Sequence, residues 1–244
     1  MMLSDQTVLI VGGSGDIGLA LSEELLKKGA KVQATYRTNK SALGDLQSKH
    51  RDDLKVFQLD VCDKEACEKF GYSLEEQEII PDILIYNAGV VEDVPVLGMA
   101  DEQWDKVMDA NLKGALNVIR SVVRFMSLSR GGKIFLVSSV AGAKGGRGQG
   151  NYAASKAGLE ALGRTLAVEL ARKEILVNMI APGVIESRMT EDVMARAKKK
   201  VLDNITLGRP GKPAEVARFI SHLCSPEVTY FTGQTFYIDG GFKL

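Results

Sequence analysis

Short apolar runs alternate with longer amphipathic stretches along the chain. Val8–Val11 (VLIV) is the first run, with the continuous apolar character of a strand buried on both faces. Gly12–Gly18 (GGSGDIG) follows, then LALSEELLKKG, where Ile17, Leu21, Leu25 and Leu26 recur at helical spacing and Gly29 closes the helix. Ala30–Arg37 (AKVQATYR) predicts a second strand, so residues 8 to 36 make a strand–loop–helix–strand unit the size of one βαβ crossover.

The alternation continues. SALGDLQSKH predicts a helix, Leu54–Asp60 a strand, KEACEKFGYSLEEQ a polar helix, and Asp82–Gly89 (DILIYNAG) a buried strand ending in a small-residue turn. VVEDVPVLGM reads as a loop, and DEQWDKVMDANLKGALNVIRSVVRFM as one long helix with Asp101 as N-cap and Glu102 and Asp105 in its first turns. GGKIFLVSS is a strand, followed by a Gly-rich loop and a helix after Tyr152. Ile175–Gly183 is a strand, the Gly/Pro-punctuated Glu186–Lys212 an irregular or short-helical excursion, PAEVARFISHLCS a helix and Gln234–Gly241 a last strand. With no repeat, low-complexity run or linker, this regular alternation predicts an α/β fold: a single domain spanning residues 1–244, built on one doubly wound parallel sheet.

Ligands of such sheets bind outside the carboxyl ends of the strands. The unusual residues fall there: the Gly loop after the first strand, Tyr36-Arg37 after the second and Asp60 after the third. Asn87-Ala88-Gly89 follows the fourth, Ser138-Ser139 the fifth and Pro182-Gly183 the sixth.

Composition narrows the function. The chain has 244 residues, 45% hydrophobic and 25% charged, with a formal net charge of zero. That argues against a nucleic-acid or anionic-membrane surface. Cys62, Cys67 and Cys224 have no metal-ligand spacing and read as reduced thiols of a cytoplasmic protein. His50 and His222 are isolated, so no metal is expected. The N-terminal MMLSDQTVLIVGG lacks the basic region of a signal peptide, and no apolar run approaches the ~20 residues that span a bilayer.

Candidate chemistry centres on Ser139–Lys156. Tyr152 and Lys156 stand four apart, on one helix face and about one turn from each other. A phenol with a reference pKa of ~10 is a poor acid or base at neutral pH. An ammonium beside it favours the phenolate, and such a pair can serve a hydroxyl or carbonyl as general acid or base. The Gly loop opens a helix, so its N–H groups can hold a phosphate. Dinucleotide sites often carry an acid at the end of the second strand; here Thr35-Tyr36-Arg37 has none, and a guanidinium suits a 2′-phosphate, favouring NADP(H).

Together these residues resemble the short-chain dehydrogenase/reductases, and within them the 3-oxoacyl-[acyl-carrier-protein] reductases. The likeness covers essentially the whole chain in order: Gly12–Gly18, Asp60, Asn87-Ala88-Gly89, Asn111, Ser139, Tyr152-x-x-x-Lys156, Pro182-Gly183 and Asp239-Gly240-Gly241. The resemblance implies a Rossmann-type sandwich with a seven-stranded parallel sheet. Tyr152 would protonate the carbonyl oxygen as hydride arrives from nicotinamide. Lys156 would lower the Tyr152 pKa and bind the nicotinamide ribose, Ser139 would hydrogen-bond the substrate oxygen, and Asn111 would hold a relay water. Gly12, Ser14, Asp16, Ile17 and Gly18 would hold the cofactor's diphosphate, with Arg37 at the 2′-phosphate. Asp60 and the Val61 amide would contact adenine, Asn87, Ala88 and Gly89 would pack under its ribose, and Pro182, Gly183, Ile185 and Ser187 would meet the carboxamide.

The chain departs from the family pattern in the cofactor loop. Val11 stands for a threonine whose hydroxyl ties this loop to the Asn-Ala-Gly turn, and Asp16 for a glycine. A carboxylate there favours the helix but repels a diphosphate unless it points to solvent. Gly15 takes the place of a basic residue, leaving Arg37 nearly alone in preferring NADP, and Tyr86 replaces an asparagine. The substrate-facing segments are Val90–Ala100, Ala143–Gly150 (with Lys144 and Arg147) and the excursion Glu186–Lys212 (with Lys198, Lys199 and Lys200). Basic residues near the rim, and by resemblance Arg130, Arg172 and Lys173, would dock an acidic acyl carrier protein. The expected activity is therefore reduction of a 3-oxoacyl thioester on that carrier, by a homotetramer. An oxidoreductase of a small alcohol, sugar or free ketone is the alternative within enzymes. A non-catalytic dinucleotide-binding protein is the alternative outside them.

Overall fold

The computed structural model describes residues 2–4, 6–129 and 131–242. Seven strands form one parallel sheet: β1 (Thr7–Val11), β2 (Lys31–Tyr36), β3 (Leu54–Gln58), β4 (Ile83–Tyr86), β5 (Gly132–Val137), β6 (Ile175–Pro182) and β7 (Thr235–Ile238). Their order is β3-β2-β1-β4-β5-β6-β7. The apolar runs work as strands because both faces of the sheet are covered, so successive side chains enter opposite cores. Val8 and Ile10 of β1 pack with Leu21 and Leu25 of α1 (Asp16–Lys27) and Val216 and Ile220 of α9 (Pro213–Leu223). Leu9 and Val11 face the other way. They meet Phe70 of α3 (Lys64–Glu76), Val118 of α5 (Gly114–Ser129) and Leu159 of α7 (Gly150–Leu170).

The strand order reverses between β1 and β4, which opens a crevice at their carboxyl ends. The register Val11↔Tyr86 aligns the two strand ends, so Gly12 and Asn87 leave the sheet side by side. A Cβ on Gly12 would stand 2.7 Å from the Ala88 backbone, and φ is +83° there. Only glycine meets both demands.

The structure departs from the expected elements at four places. The long helix predicted from Asp101 is α4 (Asp101–Met108), a π-turn (Asp109–Lys113) and then α5. Its N-cap is Ala100, not Asp101: the Gln103 side chain reaches back to accept from the Ala100 N–H at 3.0 Å, leaving Asp101 inside the first turn. The Gly-rich loop after β5 begins with one helical turn, α6 (Val140–Lys144), capped by the Ser139 hydroxyl, and α7 starts at Gly150, ahead of Tyr152. The excursion after β6 carries α8 (Glu191–Asp203), with a kink at Ala197. The remaining helix, α2 (Ser41–Lys49), follows β2 as expected.

Candidate active site

Two sites share the crevice rim. The first is a cavity of about 500 Å³ lined by Gly12 and Ser14–Ile17 after β1, Thr35–Asn39 around the end of β2, Asn87–Val90 after β4, and Ser187–Met189 after β6. Leu19 is the first amide of α1 with a carbonyl acceptor, Gly15 O at 2.8 Å. The preceding N–H groups of Asp16 and Ile17 belong to the unsatisfied first turn of a helix, and both residues line the cavity. A glycine-floored cavity with free helix-start amides at one end and Arg37 at another fits a dinucleotide phosphate chain.

The loop is tied together without the hydroxyl that Val11 lacks. Asn87 supplies both links: its N–H donates to Val11 O at 2.9 Å and its side-chain amide to Gly12 O at 2.9 Å. The Thr35 hydroxyl accepts from the Gly12 N–H at 3.1 Å. Asp16 neither faces solvent alone nor stands unpaired beside the cavity. Its two oxygens accept from the Arg188 backbone N–H at 2.9 Å and from Arg188 Nε at 3.2 Å. Gly18 is buried against Gly12 O, and Gly183 packs on Asp239 while donating to Ile238 O. Pro182 and Gly183 pair with the end of β7 and Ile185 bridges to Gly211, so these three do not line this cavity, whereas Ser187 does. Asp60 accepts from the Cys62 N–H, and with Arg37 it flanks a second, shallower depression beside the cavity. Val61 lines the main cavity.

The second site joins the first at Gly89. A Cβ built on Gly89 would stand 3.1 Å from Asn111 Oδ1 and 3.4 Å from Lys156 Nζ. Asn111, fully buried within the π-turn, has its side chain engaged: Oδ1 accepts from Val90 N–H at 2.8 Å, while Nδ2 donates to Val90 O and to the Ser155 hydroxyl. A π-turn interrupts the regular carbonyl-to-amide ladder of a helix, a distortion frequent at functional sites. Tyr86 explains part of it. Its buried hydroxyl donates to Ala110 O at 2.7 Å, inside the turn, so the residue that replaces an asparagine props the segment bearing Asn111.

Helix α7 brings Tyr152 and Lys156 to the rim beside Ser139. Asn151 fixes the start of that helix by donating to Glu92 O and Gln103 O. The Lys156 ammonium donates to Val137 O at 2.8 Å and lies 5.7 Å from the Tyr152 ring centroid. Burial lowers its pKa to about 8, opposed by the Glu160 carboxylate one turn on. Glu160 is itself buried and accepts from the Ser138 hydroxyl at 2.7 Å. Its four-residue spacing from Lys156 was the visible signal for it. Tyr152 corrects the expectation drawn from the Tyr/Lys pair. Burial raises its pKa, hydrogen bonding from the Ser139 hydroxyl pulls it back, and the Asp93 charge raises it further. The phenol is thus held protonated at neutral pH, and the ammonium points at a carbonyl rather than at the phenol.

The basic residues expected at the substrate rim divide. Lys144 is half-buried against the segment after β7, donating to Phe242 O and lying 3.8 Å from the Asp239 carboxylate. Arg147, Lys198, Lys199, Lys200, Arg172 and Lys173 are exposed, and Arg130 lies outside the described residues. Among the described residues no group of histidine, cysteine and acidic side chains could hold a metal, and no helix is long and apolar enough to cross a membrane.

A doubly wound sheet with a Gly-floored cavity at its switch point and a Ser/Tyr/Lys cluster on the same rim defines a reductase- or dehydrogenase-type protein. The comparisons agree. The family model described as enoyl-(acyl carrier protein) reductase matches residues 13–243. The 3-oxoacyl-[acyl-carrier-protein] reductase of Thermotoga maritima is 40% identical, over the full length of both chains. Nodulation protein G of Rhizobium meliloti is 37% identical, over 99% of this chain and 98% of that one. A solved structure described as a gluconate dehydrogenase of Agrobacterium tumefaciens superposes with a TM-score of 0.93 at 28% identity, covering 98% of this chain and 96% of that one. The chain belongs to the short-chain dehydrogenase/reductase family, and it is an oxidoreductase acting on CH–OH groups.

Proposed function

We propose that this chain, as a single domain over residues 1–244, reduces a 3-oxoacyl thioester on acyl carrier protein to the 3-hydroxyacyl thioester with NADPH. The observation that carries the reaction is the half-buried Tyr152 phenol with the Lys156 ammonium 5.7 Å from its ring centroid, its pKa raised by burial and drawn back by the Ser139 hydroxyl. The nicotinamide, when bound, supplies the hydride. Tyr152 gives its hydroxyl proton to the carbonyl oxygen, which needs an acid still protonated at working pH. The Ser139 hydroxyl donates to that same oxygen and orients it. The Lys156 ammonium, 5.7 Å from the Tyr152 ring centroid, supplies the nearest positive charge to a phenolate that forms there, and Asn111 holds Val90 and Ser155 beside it.

For the cofactor, the first-turn amides of α1 and Ser14 would hold the diphosphate, and Arg37 the 2′-phosphate. The absence of a carboxylate at the end of β2 supports NADP(H) over NAD(H). For the substrate, the full-length likeness to the Thermotoga maritima reductase supports a carrier-bound thioester. The exposed pair Arg172 and Lys173 would meet the acidic carrier, together with Arg130. Exposed Val168 on α7 and Tyr237 on β7 are apolar surface suited to contact between subunits of a cytoplasmic homotetramer.

The Agrobacterium tumefaciens structure favours one second reading, a small hydroxy acid or sugar acid as substrate. Consumption of NADPH or NADH with acetoacetyl-carrier protein, a free acetoacetyl thioester, 5-ketogluconate and simple ketones separates the two. Preference for the carrier-bound thioester with NADPH supports the proposal. Turnover of the sugar acid alone overturns the substrate assignment, and no turnover of any carbonyl overturns the reaction.

A further inference from the structure

Asp16 places a carboxylate at the N-terminus of α1, where the cavity would receive a diphosphate, and Gly15 offers no side-chain cation. The compensating charge comes from far along the chain. Arg188, 172 residues away in sequence, stands on the segment between β6 and α8 and lines the same cavity. It makes three bonds to the loop: backbone N–H and Nε to the two Asp16 oxygens, and Nη2 to Ser14 O at 2.9 Å. These use the Nε–H and one Nη2 position of a five-donor fork, so Nη1 has no partner among the described residues. The side chain remains 65% exposed.

An exposed ion pair contributes little by itself. This one does something else: it aims a guanidinium at the cavity from the excursion. The base of that excursion is rigid, because Glu186 N–H donates to Gly211 O, Gly211 N–H to Val184 O, and the Thr190 hydroxyl to Ile185 O.

We infer that Arg188, aimed by Asp16, is a diphosphate-binding residue of the cofactor site. The inference rests on the dinucleotide reading above. It turns the departure at Asp16 from a repulsive group into the holder of a cation. The guanidinium neutralises the carboxylate and still presents free donors to phosphate oxygens, which match its planar fork.

The test is direct binding of NADPH, followed by its fluorescence, to the wild-type chain and to Arg188→Gln, Asp16→Asn and the double variant, at low and high salt. All four must share a folded circular dichroism spectrum. Arg188→Gln is expected to raise Kd about tenfold and to flatten its salt dependence. Asp16→Asn, whose Oδ1 still accepts from Arg188 while the carboxylate charge is gone, leaves Kd within twofold or lowers it. Unchanged affinity in Arg188→Gln overturns the inference. So does equal weakening by both single variants with no further loss in the double, the mark of a clasp that only shapes the loop. A wild-type chain that binds neither NADPH nor NADH overturns the dinucleotide reading as well.

Discussion

Replacing Lys156 by methionine separates what the ammonium does for chemistry from what its burial does to the fold. Lys156 is 4% exposed, and burial takes its pKa from the ordinary 10.5 down to about 8. Below pH 8 the group is charged in both the folded and the unfolded chain, so the folded state carries the full penalty of holding it. As pH rises from about 8 toward 10.5 the folded chain loses the proton while the unfolded chain keeps it, and the penalty disappears. The fall from 10.5 to about 8, at about 1.4 kcal/mol per pH unit, corresponds to about 3 kcal/mol. Methionine never carries that penalty, but it leaves Val137 O without its donor, which costs about 1–2 kcal/mol at every pH. Lys156→Met should therefore be about 1–2 kcal/mol more stable than wild type at pH 7 and less stable at pH 10, while losing turnover. Urea unfolding of both chains at pH 7, 8, 9 and 10, followed by circular dichroism, reads the difference. A difference that stays flat across this window refutes the argument that burial sets the charge of Lys156.

Three other substitutions probe the frame of the site. Tyr86→Phe removes the bond to Ala110 O inside the π-turn and leaves a buried carbonyl short of a partner; urea unfolding should show a loss of about 1–2 kcal/mol, and a loss below about 0.5 kcal/mol would mean the turn does not need it. Gly89→Ala brings a methyl to 3.1 Å from Asn111 Oδ1. Asn111 is pinned by three bonds and cannot yield, so kcat should fall while the chain loses about 1 kcal/mol; an unimpaired kcat contradicts the placement of Asn111 beside the chemistry. Arg37→Ala should weaken NADPH about tenfold or more and leave NADH nearly unchanged in a direct titration. Equal effects on both would remove Arg37 as the reader of the 2′-phosphate.

Much of this architecture was legible in the sequence because its strands are buried on both faces. Val8–Val11, Ile83–Tyr86 and Ile134–Val137 leave no alternative to a covered parallel sheet, and a parallel sheet dictates where its loops converge. Local spacing also carried Tyr152 and Lys156 to one face of α7. What stayed hidden depends on partners distant in sequence. The pair Asp16–Arg188 joins residues 172 apart, so the loop alone showed only a misplaced carboxylate. Lys144 looked like a free surface charge until its contacts with Phe242 and Asp239 appeared. The π-turn was not visible because Asp109–Lys113 continues the helical pattern on both sides of it, and the Tyr86 bond to Ala110 O that props it comes from β4. The Tyr152 pKa went the other way from the simple expectation because desolvation, invisible in spacing, is its largest cause, while the Lys156 ammonium is bonded to Val137 O.

The central claim is that the Tyr152 phenol delivers the proton in carbonyl reduction. Its most direct test is single-turnover oxidation of NADPH with an acetoacetyl thioester by the wild-type chain and by Tyr152→Phe, with NADPH affinity measured on both. The account predicts a loss of at least about a hundredfold in the chemical step with NADPH affinity unchanged within a few-fold. A Tyr152→Phe chain that reduces the thioester at the wild-type rate would contradict it.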